Sequence, residues 1–245
     1  MIFTFENCAM PTEAHYTDEN VSELFLPLLR RWTALQKEKG RRIVVFLAAP
    51  PAAGKSTLAA FLSHLSRTTP GLTPVTAVGM DGFHRRQAYL LSHTLERNGE
   101  ILPMVRIKGA PITFDLPLLH SYLERVAAGE TVGWPEYDRF LHDPRDNAQQ
   151  VEGDIVLVEG NYLLLDQDGW RELRQYADFT LKVTGEESML RQRLIQRHLD
   201  TGKTMEATVA MVDGSDLPNI RLCLAHSTDA DLSLILQPDG SYTTI

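Results

Sequence analysis

Two kinds of apolar pattern alternate along the chain. Short unbroken runs occur at "IVVFLA" after Arg41-Arg42, "VTAVGM" (75–80), "DIVLVEG" (154–160), "DFTLKV" (178–183) and "ADLSLIL" (230–236). The first, rich in β-branched residues, predicts a strand buried on both faces, and the others read as further apolar strands. Between them, "KSTLAAFLSHLSR" and "EESMLRQRLIQRHLDTG" place apolar residues at helical spacing. Strands alternating with helices predict an α/β fold with a parallel sheet.

The ends carry smaller elements. "IFTF" (2–5) alternates weakly and predicts a short strand paired near Ala14 to Tyr16. "DENVSELFLPLLRRWTALQKEKG" predicts a helix capped by Asp18 or Asn20, with Val21, Leu24, Leu28 and Leu35 on one face, Pro27 bending it or limiting its first part, and Gly40 ending it. "QPDGS" predicts a hairpin turn back into "YTTI". From about Arg85 to Asn147 the pattern breaks at Pro103, Pro111, Pro117, Pro135 and Pro144, which reads as an irregular insertion around a site.

Parallel sheets bind ligands beyond the carboxyl ends of their strands. Three of the predicted strands end there in groups suited to phosphate chemistry: the loop from Ala49, Asp81 and Glu159. The loop, "AAPPAAGKST", matches G-x-x-x-x-G-K-[ST] except that Ala49 replaces the first glycine. In such a loop backbone N–H groups and the helix start surround phosphate oxygens, lysine adds positive charge and Ser/Thr coordinates Mg²⁺. These roles fall on Pro50, Pro51, Ala52, Ala53, Gly54, Lys55, Ser56 and Thr57. If the turn at position 49 needs a positive φ, alanine costs about 1–2 kcal/mol there; otherwise a methyl group is the only change.

In "VGMDGFHRR" Asp81 suits a base approaching a hydroxyl, and it equally suits an Asp-Gly turn. Glu159 in "VLVEGNYLLLD" suits a Mg²⁺ carboxylate, direct or through water, or a glutamate at the solvent end of a strand.

Composition narrows the class. Hydrophobic residues make up 43% and charged residues 23% of 245 residues, as in ordinary globular chains. A net charge of −8 argues against a nucleic-acid coat while leaving local basic clusters for a small anion. Cys8 and Cys223, far apart and without metal-like spacing, read as inert thiols of a reducing compartment. The opening residues lack a basic leader and an apolar core, and no run is long enough to span a membrane, so a cytoplasmic location is expected.

"MDGFH", "KGAPITFD", "WPEYDRFLHDP", "VLVEGNYLLLD" and "RQRLIQRHLDTGKT", in this order after GKST, resemble the P-loop kinases related to uridine kinase, phosphoribulokinase and bacterial pantothenate kinase. Within that group the chain looks most like bacterial nucleoside/nucleotide kinase family proteins and fructose-transport kinases. The resemblance implies a three-layer P-loop fold, with helices on both faces of a mostly parallel sheet and small β additions at each end. Residues 41–227 would form the core of a single kinase domain, 1–40 an extension and 228–245 a hairpin.

It also implies ATP and Mg²⁺ as cofactors and transfer of a phosphoryl group to a small-molecule hydroxyl. Lys55 and Ser56 would serve ATP and Mg²⁺, Asp81 would be the base and Glu159 a metal-side carboxylate. Asp81, His84, Lys108, Tyr137, Arg139 and His142 are the expected acceptor residues, and Arg193 and Arg197 the lid arginines that neutralise transferring phosphate. Arg191 is expected instead in ion pairs with Glu186 and Glu187. Asn219 falls in a segment expected beside the adenine, or caps the next helix. A sugar or polyol is the leading acceptor, a nucleoside or pantothenate the alternative, and a non-catalytic nucleotide-binding regulator the third reading. No N-K-x-D guanine motif occurs. Relatives of this fold often dimerise, although no exposed apolar stripe demands it.

Overall fold

A computed structural model describes residues 1–7, 10–97 and 99–245. An antiparallel hairpin, β1 (Ile2–Asn7) and β2 (Met10–His15), opens the chain, with Phe3 opposite Ala14 as the sequence predicts. Cys8 lies outside the described residues. A π-helical stretch, Asn20–Phe25, then leads into α1 (Leu26–Lys39), which ends at Gly40. Pro27 falls in the first turn of α1 directly after the π-helical stretch, so its missing N–H coincides with the change of helical pitch and limits that stretch. The cap is Thr17, whose hydroxyl accepts the Asn20 N–H at 3.0 Å. Neither expected cap is free to act: Asp18 lies 3.4 Å from the Met1 amino group, and the Asn20 amide is bonded to Tyr242.

The core elements follow as β3 (Ile43–Ala48), α2 (Lys55–Thr68) and β4 (Val75–Gly79). Next come α3 (Gln87–Ser92), β5 (Thr94–Arg97), β6 (Glu100–Pro103), α4 (Leu116–Ala127), β7 (Val132–Asp138), β8 (Asp143–Val151) and β9 (Ile155–Gly160). The chain continues through β10 (Phe179–Thr184), α5 (Glu187–Asp200), α6 (Met205–Met211), α7 (Leu217–His226), β11 (Leu232–Leu236) and β12 (Tyr242–Thr244).

The main sheet has the order β12-β11-β10-β3-β9-β4, parallel throughout except at β12. The period of two along β3 sends Ile43, Val45 and Leu47 to one face and Val44, Phe46 and Ala48 to the other. The first face packs on Trp32 of α1 and on Leu58, Phe61 and Leu62 of α2. The second packs on Leu119, Leu123 and Val126 of α4 and on Trp134 and Trp170. Three layers result because both sides of the central strands are apolar. Among the described residues no helix is long and apolar enough to cross a membrane.

The segment read as irregular is a correction. It contains α4, whose apolar face is fully buried, and the β7–β8 hairpin beside the main sheet. Its prolines sit where a missing N–H is tolerated: Pro111 and Pro117 in the first turns of helices, and Pro135 at a register shift in β7. They punctuate elements without breaking them, which composition alone does not distinguish.

Candidate active site

The phosphate loop leaves β3 at Ala49, whose N–H bonds the Gly160 carbonyl at 3.2 Å. Ala49 is 3% exposed and is not among the described non-glycine residues with positive φ. The turn at 49 therefore needs no glycine. Left-handed backbone occurs three residues later, at Ala52 (φ 65°), and again at Gly54 (φ 79°), the residue that starts α2. The positive φ that would have strained an alanine at 49 falls on Ala52. Pro50, Pro51 and Ala53 complete the turn, closed by an Ala53 N–H bond to the Pro50 carbonyl at 3.3 Å, and Thr57 lies in the first turn of α2.

Because β3 and β9 are paired in register, Leu47 opposite Glu159, the loop and the end of β9 meet. Ser56 Oγ donates to Glu159 Oε1 at 2.6 Å, and Lys55 Nζ stands 4.0 Å from Oε2. Glu159 is 7% exposed, and its Oε2 is buried without a hydrogen-bond partner among the described residues. Burial raises the Glu159 pKa, reinforced by Asp81 and opposed by Lys55 and Ser56. The Ser56 hydroxyl and the Glu159 carboxylate, with its unsatisfied buried Oε2, are hard oxygen donors that fit Mg²⁺. Among the described residues no cluster of three or more His, Cys, Asp or Glu could hold a metal ion.

Asp81 stands on the tight turn Met80–Phe83 directly after β4. Its neighbour Gly82 is no mere punctuation: a Cβ there would lie 1.9 Å from the Pro135 carbonyl oxygen, so only glycine lets the β7 backbone press on this turn. Burial pushes the Asp81 carboxyl up in pKa, but Lys55, His84, Arg139 and Arg197 together hold it below the usual range. It is an anion at neutral pH, with Arg139 NH2 3.9 Å from Oδ2. His84 donates from Nδ1 to the Asp81 carbonyl at 2.8 Å; desolvation lowers its pKa against the pull of Asp81, so it is neutral at pH 7.

A cleft of about 770 Å³ runs from this corner, with Ser56, Asp81 and Glu159 at one end and Tyr137, Arg139 and Arg145 along its side. Of the expected acceptor residues, Asp81, Tyr137 and Arg139 line it. His84 lies behind them, its ring 3.9 Å from Phe114 and 5.0 Å from Tyr137. Lys108 bonds Gln87 Oε1 at 2.6 Å and the His142 carbonyl at 2.7 Å, with its ammonium 4.9 Å from the Tyr137 ring centre. The exposed His142 contributes that carbonyl. These three hold the hairpin that carries the lining residues. Arg145 and Gln149 of β8 also line the cleft and were missed, although their even spacing marks one face of a strand.

Arg193 brings its guanidinium within 3.8 Å of the position a Cβ would take on Gly54. Arg197 lies close enough to Asp81 to help hold its pKa down, while burial and then Arg139 lower the pKa of Arg197 itself. Among the described residues neither has a carboxylate within ion-pair distance. Arg191 does, with Asp213 at 2.6 Å, and Glu187 holds Arg221 at 2.8 Å, so the partners expected of Arg191 are replaced. The π-helical turn Val212–Asp216 brings Asp213 across to α5. Asn219 is inside α7 and caps nothing; it is 7% exposed, with its amide near Gly109. Cys223 is buried and free, and burial pushes its thiol up to about 12.

No protein-family profile matches the chain. "Uncharacterized protein YggC" of Escherichia coli is 38% identical over 231 residues, covering 94% of this chain and 93% of its own. "Putative uridine kinase C227.14" of Schizosaccharomyces pombe is 30% identical, covering 79% of this chain and 83% of its own. The chain belongs to the uridine kinase and pantothenate kinase group of P-loop kinases. A pantothenate kinase of Shewanella loihica is 30% identical over 74% of this chain, which spans 62% of that relative. Among solved P-loop kinase structures, a "putative fructose transport system kinase" from Silicibacter superposes with a TM-score of 0.72 at 32% identity, over 84% of this chain and 98% of its own. A D-glycerate 3-kinase from Cryptococcus neoformans shares the fold, with a TM-score of 0.63 at 14% identity over 89% of this chain and 99% of its own.

Proposed function

We propose that this P-loop kinase transfers the γ-phosphoryl of ATP to a hydroxyl of a small molecule, with a sugar or sugar-like polyol as the leading acceptor. The observation carrying this reading is the convergence of Ser56, Glu159 and Asp81 on one cleft. Lys55 and the N–H groups from Ala52 to Ser56 hold the β- and γ-phosphates. Ser56 and Glu159 hold Mg²⁺, which when bound neutralises phosphate charge and aligns the oxygens for in-line displacement. Asp81 orients the acceptor hydroxyl and accepts its proton as the oxygen bonds phosphorus and ADP departs. An ionised carboxylate suffices, because in a loose transition state the proton leaves late. Arg197, and Arg193 beside the loop, offset the charge on the transferring group.

Tyr137, Arg139 and Arg145 offer the acceptor one aromatic wall and several donors, a surface suited to a polyhydroxylated molecule. The uridine kinase and pantothenate kinase relatives favour a nucleoside or pantothenate as the second reading.

An acceptor screen decides between them. Purified protein with Mg-ATP is given ketoses, aldoses, polyols, nucleosides and pantothenate, and acceptor-dependent ADP release is measured. Release with one class names the acceptor; none with any class removes the kinase reading. Asp81→Asn should keep ATP binding while losing transfer by about 10²-fold or more. Unchanged turnover would remove Asp81 from the base role.

A further inference from the structure

The two ends of the chain are joined by an interaction with no part in the roles above. Asn20 Nδ2 donates to the Tyr242 carbonyl at 2.8 Å, and the Tyr242 N–H donates to Asn20 Oδ1 at 2.8 Å, both bonds buried. This reciprocal clasp fixes the backbone of β12 against the start of the first helix. The Tyr242 ring, 6% exposed, then packs edge-on to Phe25 at 5.8 Å and lies 6.4 Å from Tyr16. Tyr16 stacks in turn on Phe61 of α2 at 4.2 Å, so the cluster is anchored to the helix that starts at the phosphate loop.

The Tyr242 hydroxyl is thereby aimed at that loop. A Cβ on Gly54 would lie 3.9 Å from this hydroxyl and 3.8 Å from Arg193 NH2. An arginine from α5 and a tyrosine from the last strand thus converge on the residue preceding Lys55. Arg193 is exposed and lacks a carboxylate within ion-pair distance among the described residues, whereas Arg191, two positions earlier, is clamped by Asp213. Something other than an ion pair must restrict a long cationic side chain if it is to meet phosphate in one geometry. Burial pushes the Tyr242 hydroxyl up to about 12, so at neutral pH it is an uncharged donor and acceptor.

We propose that Tyr242 is a positioning residue of the nucleotide site: held by the Asn20 clasp, its hydroxyl keeps the Arg193 guanidinium over Gly54 and so toward the phosphates. The two terminal additions would then form one wall of the phosphate site. This rests on the nucleotide-binding half of the proposed function and is independent of the acceptor.

The test is binding of the non-hydrolysable analogue AMP-PNP with Mg²⁺, measured by calorimetry on the full chain. Four proteins are compared: wild type, Tyr242→Phe, Arg193→Gln and the double variant. Phenylalanine keeps the ring and its aromatic neighbours, and thermal unfolding of each protein is recorded beside binding. Loss of the hydroxyl beside the guanidinium should weaken binding by about three- to tenfold in Tyr242→Phe, and Arg193→Gln by about ten- to a hundredfold. Because the tyrosine acts through the arginine, the double variant should bind no more weakly than Arg193→Gln alone.

Tyr242→Phe binding as wild type does would overturn the proposal. So would multiplication of the two losses in the double variant, since a merely structural tyrosine gives that result. A wild type that does not bind AMP-PNP would sink the nucleotide reading itself, an outcome distinct from both.

Discussion

Exchanging Ala49 and Ala52 for glycine, one at a time, separates strain from resemblance to a motif. Matching the motif suggests that Ala49→Gly should repair the loop. The backbone assigns the positive φ to Ala52 instead, at 65°. An L-residue there bears about 1–2 kcal/mol that glycine escapes, while the extra freedom of an unfolded glycine returns about 0.5–1 kcal/mol. Ala52→Gly should therefore be neutral or stabilising by up to about 1 kcal/mol. Ala49 has no such strain to relieve, and its methyl is buried in the core beside α2. Ala49→Gly forfeits about 0.8 kcal/mol of apolar burial and adds the same glycine penalty.

The two variants should differ by about 2 kcal/mol, or about 4–8 °C in Tm for a chain of this size, with Ala52→Gly the more stable. Urea and thermal unfolding measure the difference, and AMP-PNP titration should show no gain in affinity for Ala49→Gly. If Ala49→Gly equals or exceeds Ala52→Gly in stability, or binds nucleotide tenfold better than wild type, the assignment of strain to Ala52 is wrong.

Two further predictions concern charge. Glu159 has a raised pKa and must lose its proton to serve a metal, so Mn²⁺ binding, followed by paramagnetic relaxation of water protons, should tighten as pH rises through that pKa; Glu159→Gln should weaken binding and flatten the profile. Asp178, whose side chain is 6% exposed, receives hydrogen bonds from Lys39, Arg41 and the Val44 N–H, and these hold its pKa down against burial. Its folded pKa being below the unfolded one, the stabilisation is present above the unfolded pKa and lost as pH falls through the folded one. Asp178→Asn should cost about 1–3 kcal/mol in urea unfolding at pH 7 and markedly less once wild-type Asp178 is protonated; an equal loss at both pH values would contradict this account.

The strands and the carboxylates at their ends were legible in the sequence because each signal is local. A run such as "DIVLVEG" contains both the burial on two faces and the residue that stops it. The β7–β8 hairpin and α4 were obscured because proline frequency was read without proline position, and position depends on a bulge and on helix starts that form with the tertiary structure. Gly82 looked like turn chemistry, since the clash that demands glycine comes from Pro135, far along the chain. Lys108 has the right chemistry for an acceptor site, but its ammonium is already bonded to Gln87 Oε1 and to the His142 backbone carbonyl. Partner choice among polar side chains is a property of the folded surface, and Arg191 shows the same in selecting Asp213 over the carboxylates nearest in sequence.

The clasp between Asn20 and Tyr242 spans 222 residues. A growing polypeptide makes the loop, Lys55, Asp81 and Glu159 well before it makes β12. Until that strand arrives, the aromatic layer over α2 lacks its last ring, and the buried amide of Asn20 has no partner. A contact this distant in sequence forms only once nearly the whole chain has been made. Synthesis order thus leaves this bond for last: a nascent chain can have every strand-end group in place and still leave Asn20 unsatisfied.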